Sequence, residues 1–392
     1  MTKIYKISLI LMMLFSCSLG FAQKTFFTDV SESEAKSKSG TRVIIPQKYR
    51  TISLDKEGIT NFLGGLPSEK NVLNRKSAPV LELPMPDGRT ARFNVWESSI
   101  QEPALEAKFP EIKTFAGQGI DDPYATIRFD YTPRGLHAQV LTVNGTYYLD
   151  PLGMSSTTNY ISYFRTDLIK SQSWTCDVTD IAANAGRPNL TAAACLGTSL
   201  KTYRLAVANT GEYAQAPGIN AGTNPVLLHA AIVTSVNRIV GVYEKEVAIR
   251  MVLVGNNNLV EFLDASTDPF NGNNNANVLI NESQTVIDAN ILSANYDIGH
   301  TFSTGGGGLA QLNSPCTGSK ARGITGSPSP TGDAYDIDYV AHEVGHQFGG
   351  NHTMAGCGSS PNSTKYEVGS GTTIQAYAGI CNCQTICFKT CS

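Results

Sequence analysis

The stretch that most constrains this chain is 341–352, which reads A-H-E-V-G-H-Q-F-G-G-N-H and gathers three of the six histidines. His342 and His346 stand four apart, with Glu343 directly after the first. On a helix, residues four apart lie one above the other, so both imidazoles address a common point while Glu343 leans over its edge. Gly349 accepts the left-handed conformation that ends helices, and the residues after it can swing His352 back to the same point. Three neutral imidazoles beside an open position are the donor set of a catalytic Zn2+ site. Glu343 is then placed as the general base: it takes a proton from a zinc-bound water, whose pKa the metal lowers to roughly 7, for attack on a polarised peptide carbonyl. At ordinary residue frequencies a random match to all five positions is rarer than about 1 in 10,000, so chance does not explain the set.

The helix carrying these residues is expected to begin near Asp333 or Asp336, either of which can cap it. Ile337, Val340, Val344 and Phe348 form its buried stripe and leave His342, Glu343 and His346 on the opposite face.

His342, Glu343, His346, Gly349 and His352 match the HExxHxxGxxH signature of the metzincin zinc endopeptidases, and the surrounding sequence is most similar to the reprolysin-like (adamalysin-type) branch found in secreted bacterial proteins. The similar region runs from about Ser199 to Cys381. The stretch before it resembles the propeptides of the same group. The resemblance implies an α+β or α/β architecture, in which a β-rich propeptide precedes a metzincin-type domain with a twisted mixed sheet and an active-site helix. It also implies protein or peptide substrates and synthesis as a zymogen. Gly305–Ala310, glycine-rich, would lead into the edge strand above the cleft, where substrate adds as an extra strand.

Charge and length fit that frame. A chain of 392 residues with 41% hydrophobic content has room for two domains, and a net charge of −3 supplies no basic field for nucleic acid or anionic lipid. The first residues carry lysines, then the apolar run 7–15, then Gly20 and Ala22, the pattern of a secretory signal cleaved after Ala22 (residues 1–22). A lipoprotein signal using Cys17 is the alternative, with a poor context in Phe15 and Ser16. No other transmembrane stretch is read in the sequence. Export makes the remaining eight cysteines candidates for disulfides.

Residues 23–198 read as β-rich propeptide and linker. Ala125, Ile127 and Phe129 alternate with Thr126, Arg128 and Asp130, as in a half-buried strand, and Asn144–Gly145 is a two-residue hairpin turn. His137 is expected on the surface. From Asp177 to Thr198 the composition turns to Ala, Asn, Thr and Gly around Arg187–Pro188, which marks a linker and a point of propeptide removal. Residues 199–392 read as the metalloprotease domain, with a C-terminal end that looks incomplete. Its strands are expected at 201–207 and 247–254, and its helices after Asn224–Pro225 and over 278–292. His229 and His300 lie outside the motif and are expected to be structural.

Metzincins follow the third histidine with a tight turn that carries methionine beneath the zinc; here Gln375 stands at that position, and Tyr377, two residues on, is a candidate to reach the metal or the oxyanion. A second function class therefore stays open, a zinc-binding but catalytically impaired secreted protein of adhesion or recognition. Cys381, Cys383, Cys387 and Cys391 read as disulfide partners or a tail, with a metal site as the alternative. Latency needs a group over the zinc: Cys176 or Cys195 can supply a thiolate, the two can instead pair with each other, and Asp121 or Asp122 could fill the role.

Overall fold

The computed structural model describes residues 25–36, 40–154, 156–168, 175–178, 199–356, 360 and 363–377. The expected signal sequence, most of the expected linker with Cys195, and the terminal cysteines lie outside the described residues.

The N-terminal region is one nine-stranded antiparallel sheet: β1 (Phe27–Asp29), β2 (Arg50–Leu54), β3 (Val80–Pro84), β4 (Thr90–Glu97), β5 (Lys113–Gly119), β6 (Thr126–Thr132), β7 (Gly135–Thr142), β8 (Gly145–Pro151) and β9 (Asn159–Phe164). The spatial order is β1-β2-β9-β8-β7-β6-β5-β4-β3. The sheet curls, since Arg50 on β2 donates to the carbonyls of Met85 and Arg89 in the β3–β4 turn and Ser162 on β9 donates to that of Pro84 on β3. Its inward residues, among them Ile52, Leu83, Phe93, Val95, Ile127 and Phe129, form a separate apolar core. A hairpin forms where Asn144–Gly145 marks one, but one residue earlier than expected: Val143 and Asn144 are its loop, and Gly145, at φ 119, opens β8 opposite Thr142.

The C-terminal region is a five-stranded mixed sheet: β10 (Lys201–Asn209), β11 (Ile249–Leu253), β12 (Ile298–Ser303), β13 (Gly308–Ala310) and β14 (Gly323–Gly326), in the order β11-β10-β12-β14-β13. Every neighbouring pair is parallel except β13 with β14, so the antiparallel β13 forms one edge. Helix α1 (Pro225–Val247) starts where Asn224 accepts from the Val226 N–H and Pro225 occupies the first turn. It is long and apolar enough to cross a membrane by composition, yet it is buried between the two sheets, with Thr234, Ser235, Asn237 and Arg238 among its buried residues. Helix α2 (Ala276–Ile291) is capped by Asn275 and covers the other face of the mixed sheet.

The two regions share a core. Ile100, Leu105, Phe109 and Ile112 from the N-terminal region pack in one cluster with Leu205, Ile232, Val236 and Leu253. The segment at Gln101 adds to the β11 edge: Leu253 N–H donates to the Ile100 carbonyl and Glu102 N–H to that of Leu253, each at 2.8 Å.

This contact corrects the half-buried reading of β6. Ala125, Ile127 and Phe129 face the sheet's own core, but Arg128 and Asp130 are also buried, at 4% and 1% exposure, because their face docks on α1. Arg128 pairs with Glu244, and Asp130 accepts from Thr234, both on α1. His137 is likewise not a free surface residue: its Nδ1 lies 3.0 Å from Asp130 in the same buried seam.

Candidate metal centre

The polypeptide enters the site through a wide π-helical turn (Ala334–Ala341) that tightens into helix α3 (His342–Gln347). Neither expected cap acts as one. Asp333 is turned to Tyr148 and Arg165, and Asp336 to Ser235 and Arg238 on α1, while the Gly332 carbonyl receives the first helical N–H groups of Tyr335 and Asp336. Long-range charge pairing has outcompeted local capping. Ile337, Val340 and Val344 are buried as the helical stripe requires, and Phe348 packs partly buried against the same core.

On the opposite face His342, Glu343 and His346 are fully buried, and His352 is nearly so. Gly349 has φ 94, and a Cβ there would lie 2.3 Å from the Asn313 side-chain oxygen, so this turn requires glycine. The chain then reverses and places His352 Nε2 3.2 Å from His346 Nε2, which is itself 3.0 Å from His342 Nε2.

The tautomers follow from the outer contacts. His342 Nδ1 faces the Ile374 carbonyl at 2.6 Å and His346 Nδ1 the Gly350 carbonyl at 2.5 Å; a carbonyl only accepts, so both Nδ1 atoms carry the proton. The Nε2 lone pairs of these two rings therefore point toward each other and toward His352 across about 3 Å, which is repulsive until a cation lies among them. Tetrahedral zinc with bonds of 2.0–2.1 Å sets its nitrogens about 3.3 Å apart. The donors fit the ion. Burial, reinforced by the neighbouring His342 and His352, holds His346 well below the ordinary imidazole pKa and keeps it in the neutral form a metal requires.

A fourth donor is present. Cys176 Sγ lies 3.5 Å from His346 Nε2, and the four ligand atoms all fall within 4.8 Å of one another. A sulfur and a nitrogen on one tetrahedral zinc are separated by about 3.6 Å. Cys176 is a free thiol, and its segment forms a parallel bridge with Gly308 on β13. Of the latency candidates, Asp121 is turned away: Arg92 holds its carboxylate in an exposed ion pair and keeps its pKa below the usual range. Asp122 accepts from the Tyr124 N–H in a nearby exposed turn.

Glu343 sits beside these donors with neither carboxylate oxygen in a hydrogen bond of ordinary geometry. Burial pushes its pKa well above the carboxylate range, with the adjacent Cys176 thiol opposing the shift and the Asp177 charge adding to it. Beneath the imidazoles, Gln375 occupies the floor: a Cβ on Gly345 would lie 2.9 Å from its amide. Its Nε2 shares the Gly350 carbonyl with His346 at 3.3 Å, while its buried Oε1 has no partner. The Tyr377 ring stands 5.0 Å from that of His352 and 5.8 Å from that of His342, and its hydroxyl donates to the Cys176 carbonyl at 3.3 Å. The expected site residues thus come together.

His229 and His300 stay outside it. His229 bridges Glu261 and Gln101 and stacks on Phe109, and His300 bridges Gln347 and Thr325. Sequence reasoning missed Gln347, which is fully buried and ties α3 to β12 through His300 and the Gly299 carbonyl. Its position on the helix face opposite solvent was the available signal.

Comparison with known proteins yields a family match over part of the chain. Residues 199–391 match the family model described as metallo-peptidase family M12B, reprolysin-like. No curated protein matches. Among solved structures, metalloproteinase-II from Bacteroides fragilis aligns at 12% identity and a TM-score of 0.44, covering 78% of this chain and 86% of that one. A chaperone–substrate complex aligns at 12% identity and a TM-score of 0.23, covering 34% and 97%. Both likenesses are too loose to bear on fold or function.

Proposed function

We propose that this chain, whose residues 199–391 belong to the reprolysin-like branch of metallopeptidase family M12B, is the latent precursor of an exported zinc endopeptidase. The observation that carries the reading is the convergence of three imidazole Nε2 atoms on one point with a buried glutamate beside them. His342, His346 and His352 would hold the zinc, which when bound supplies Lewis-acid polarisation of a carbonyl and acidification of water.

The chain's own residues supply the rest. The β13 edge offers main-chain groups that align an extended peptide, as it already does for the Cys176 segment. Glu343 accepts a proton on its carboxylate as water adds to the carbonyl carbon, and returns it to the leaving amine nitrogen. The Tyr377 hydroxyl, freed from the Cys176 carbonyl, becomes available to the developing oxyanion. Until then Cys176 closes the fourth donor position and residues 23–198 act as propeptide. Export rests on the leader at 1–22.

A second reading, zinc binding without turnover, is favoured by one observation, the orphaned Gln375 Oε1 in the floor. One comparison decides between them. Full-length protein processed within 179–198 should digest a denatured protein substrate, lose that activity with a chelator, and lose at least about 100-fold of it in Glu343→Ala while keeping its zinc. Equal cleavage by wild type and variant would sink the endopeptidase reading.

A further inference from the structure

The segment 175–178 follows the β13 edge as an added strand. Gly308 N–H donates to the Thr175 carbonyl and Asp177 N–H to that of Gly308, each at 2.9 Å. Gly307 permits this approach: with φ 69, it would place a Cβ 2.4 Å from the Thr175 carbonyl oxygen. The side chains alternate as a strand requires. Thr175 and Asp177 are exposed, whereas Cys176 turns inward to the imidazoles and Val178 turns inward beside it.

Val178 is only 5% exposed, and its partners are Ala310 and Leu312, with Leu309 and Cys176 at the margin. Ala310, with a single methyl, and Leu312 supply the apolar surface against which Val178 is buried. Main-chain pairing with an edge strand is blind to sequence, so discrimination along this edge must come from side-chain niches. Alternation is the same in both chain directions. A peptide following this edge either way therefore presents an inward side chain to Ala310 and Leu312, two residues from the one lying over the imidazoles.

We propose that the Ala310–Leu312 niche is a specificity subsite, selecting a compact aliphatic side chain at one fixed position of the substrate, and that Val178 occupies it in place of substrate. This rests on the peptidase reading above. A carboxylate or ammonium entering the niche is desolvated without a partner, and a methyl side chain leaves it underfilled.

The test uses the full-length chain processed within 179–198 and a set of peptides that differ only at the selected position. For wild type, Val and Ile should exceed Ala by about 10-fold and Asp by about 100-fold in kcat/KM. Leu312→Lys should lose the preference for Val and gain one for Glu, and Leu312→Ala should shift it toward Leu and Phe. A gain for a new residue cannot come from misfolding. The same peptides are titrated by fluorescence anisotropy against processed Glu343→Gln. Binding that favours Val and is redirected by Leu312→Lys supports the subsite, even if wild type cuts nothing, in which case the peptidase reading alone falls. Binding and cleavage indifferent to the side chain, or profiles unchanged by both Leu312 variants, overturn it.

Discussion

Two buried polar regions of this molecule solve the same problem in opposite ways. In the seam formed by the N-terminal sheet, α1 and the turn that leads into α3, buried groups are held chiefly by charge: Arg238 lies between Asp150 and Asp336, Arg128 pairs with Glu244, and Arg165 reaches Asp333 and Asp338, although Arg238 Nε and Gln139 Oε1 have no hydrogen-bond partner. At the metal centre, equally buried groups are not held by opposite charges. Imidazole lone pairs face one another, Glu343 has no ordinary hydrogen bond, and the Gln375 oxygen is orphaned. The seam draws its opposite charges from within the chain, whereas the centre can be completed by a cation, a thiol or a substrate. Holding the two regions together and keeping the centre shut are therefore separable properties.

The largest effect is expected from breaking the seam. Arg238 and Asp150 are 3% and 0% exposed, and Asp150 also accepts from the Tyr163 hydroxyl at 2.7 Å. Asp150→Ala leaves a buried guanidinium with one carboxylate instead of two, at a cost of about 3–5 kcal/mol. The denaturation midpoint of the full-length chain measures it, with zinc present throughout. A loss below about 1 kcal/mol would mean that Asp336 alone satisfies Arg238 and that the seam is over-determined.

Opening the centre without touching the seam should give the complementary result. In unprocessed Cys176→Ser, peptidase activity should rise about 100-fold over the wild-type precursor, because the weaker hydroxyl donor no longer holds the fourth position. Its stability should change by less than about 1 kcal/mol, since the seam stays intact. A precursor that stays latent, together with a Cys176–Cys195 disulfide found by peptide mapping of wild type, would refute the thiol plug.

What was legible in the sequence divides along the same line. His342, Glu343, His346, Gly349 and His352 could be read because their meaning is local: helical spacing and one left-handed residue bring them together. Asn224–Pro225 was legible for the same reason, and Asn144–Gly145 marked the hairpin though not its register. The buried role of Arg128 and Asp130 was not, because a sheet face that docks on a helix can carry the same polar letters as a face in water. Asp333 and Asp336 carry the letters of a cap but serve pairs with residues far away in sequence, and local propensity cannot weigh such partners. The outer support of the metal site is silent for another reason: the Ile374 and Gly350 carbonyls that orient His342 and His346 are backbone, which any residue supplies. Placing Cys176 beside the imidazoles needed the tertiary path of the 175–178 segment along β13.

The smallest predicted effect tests whether the incompleteness of the centre is uniform. Gln375 is unlike the imidazoles and Glu343, for nothing in the proposed chemistry needs its oxygen. Its Nε2 shares a carbonyl that already receives the His346 proton, at a longer 3.3 Å, so the amide gains little there. A buried amide oxygen left unpaired costs on the order of 1–3 kcal/mol, offset in part by that shared contact. Methionine has similar length, needs no hydrogen bond and adapts to the space beneath Gly345 and Gly350. Gln375→Met should therefore raise stability by about 1 kcal/mol at unchanged zinc stoichiometry, with activity in the processed protein equal or higher. Thermal unfolding and metal analysis on the same preparation measure both. A fall in stability with zinc retained would show that the amide has a satisfied network in the folded protein.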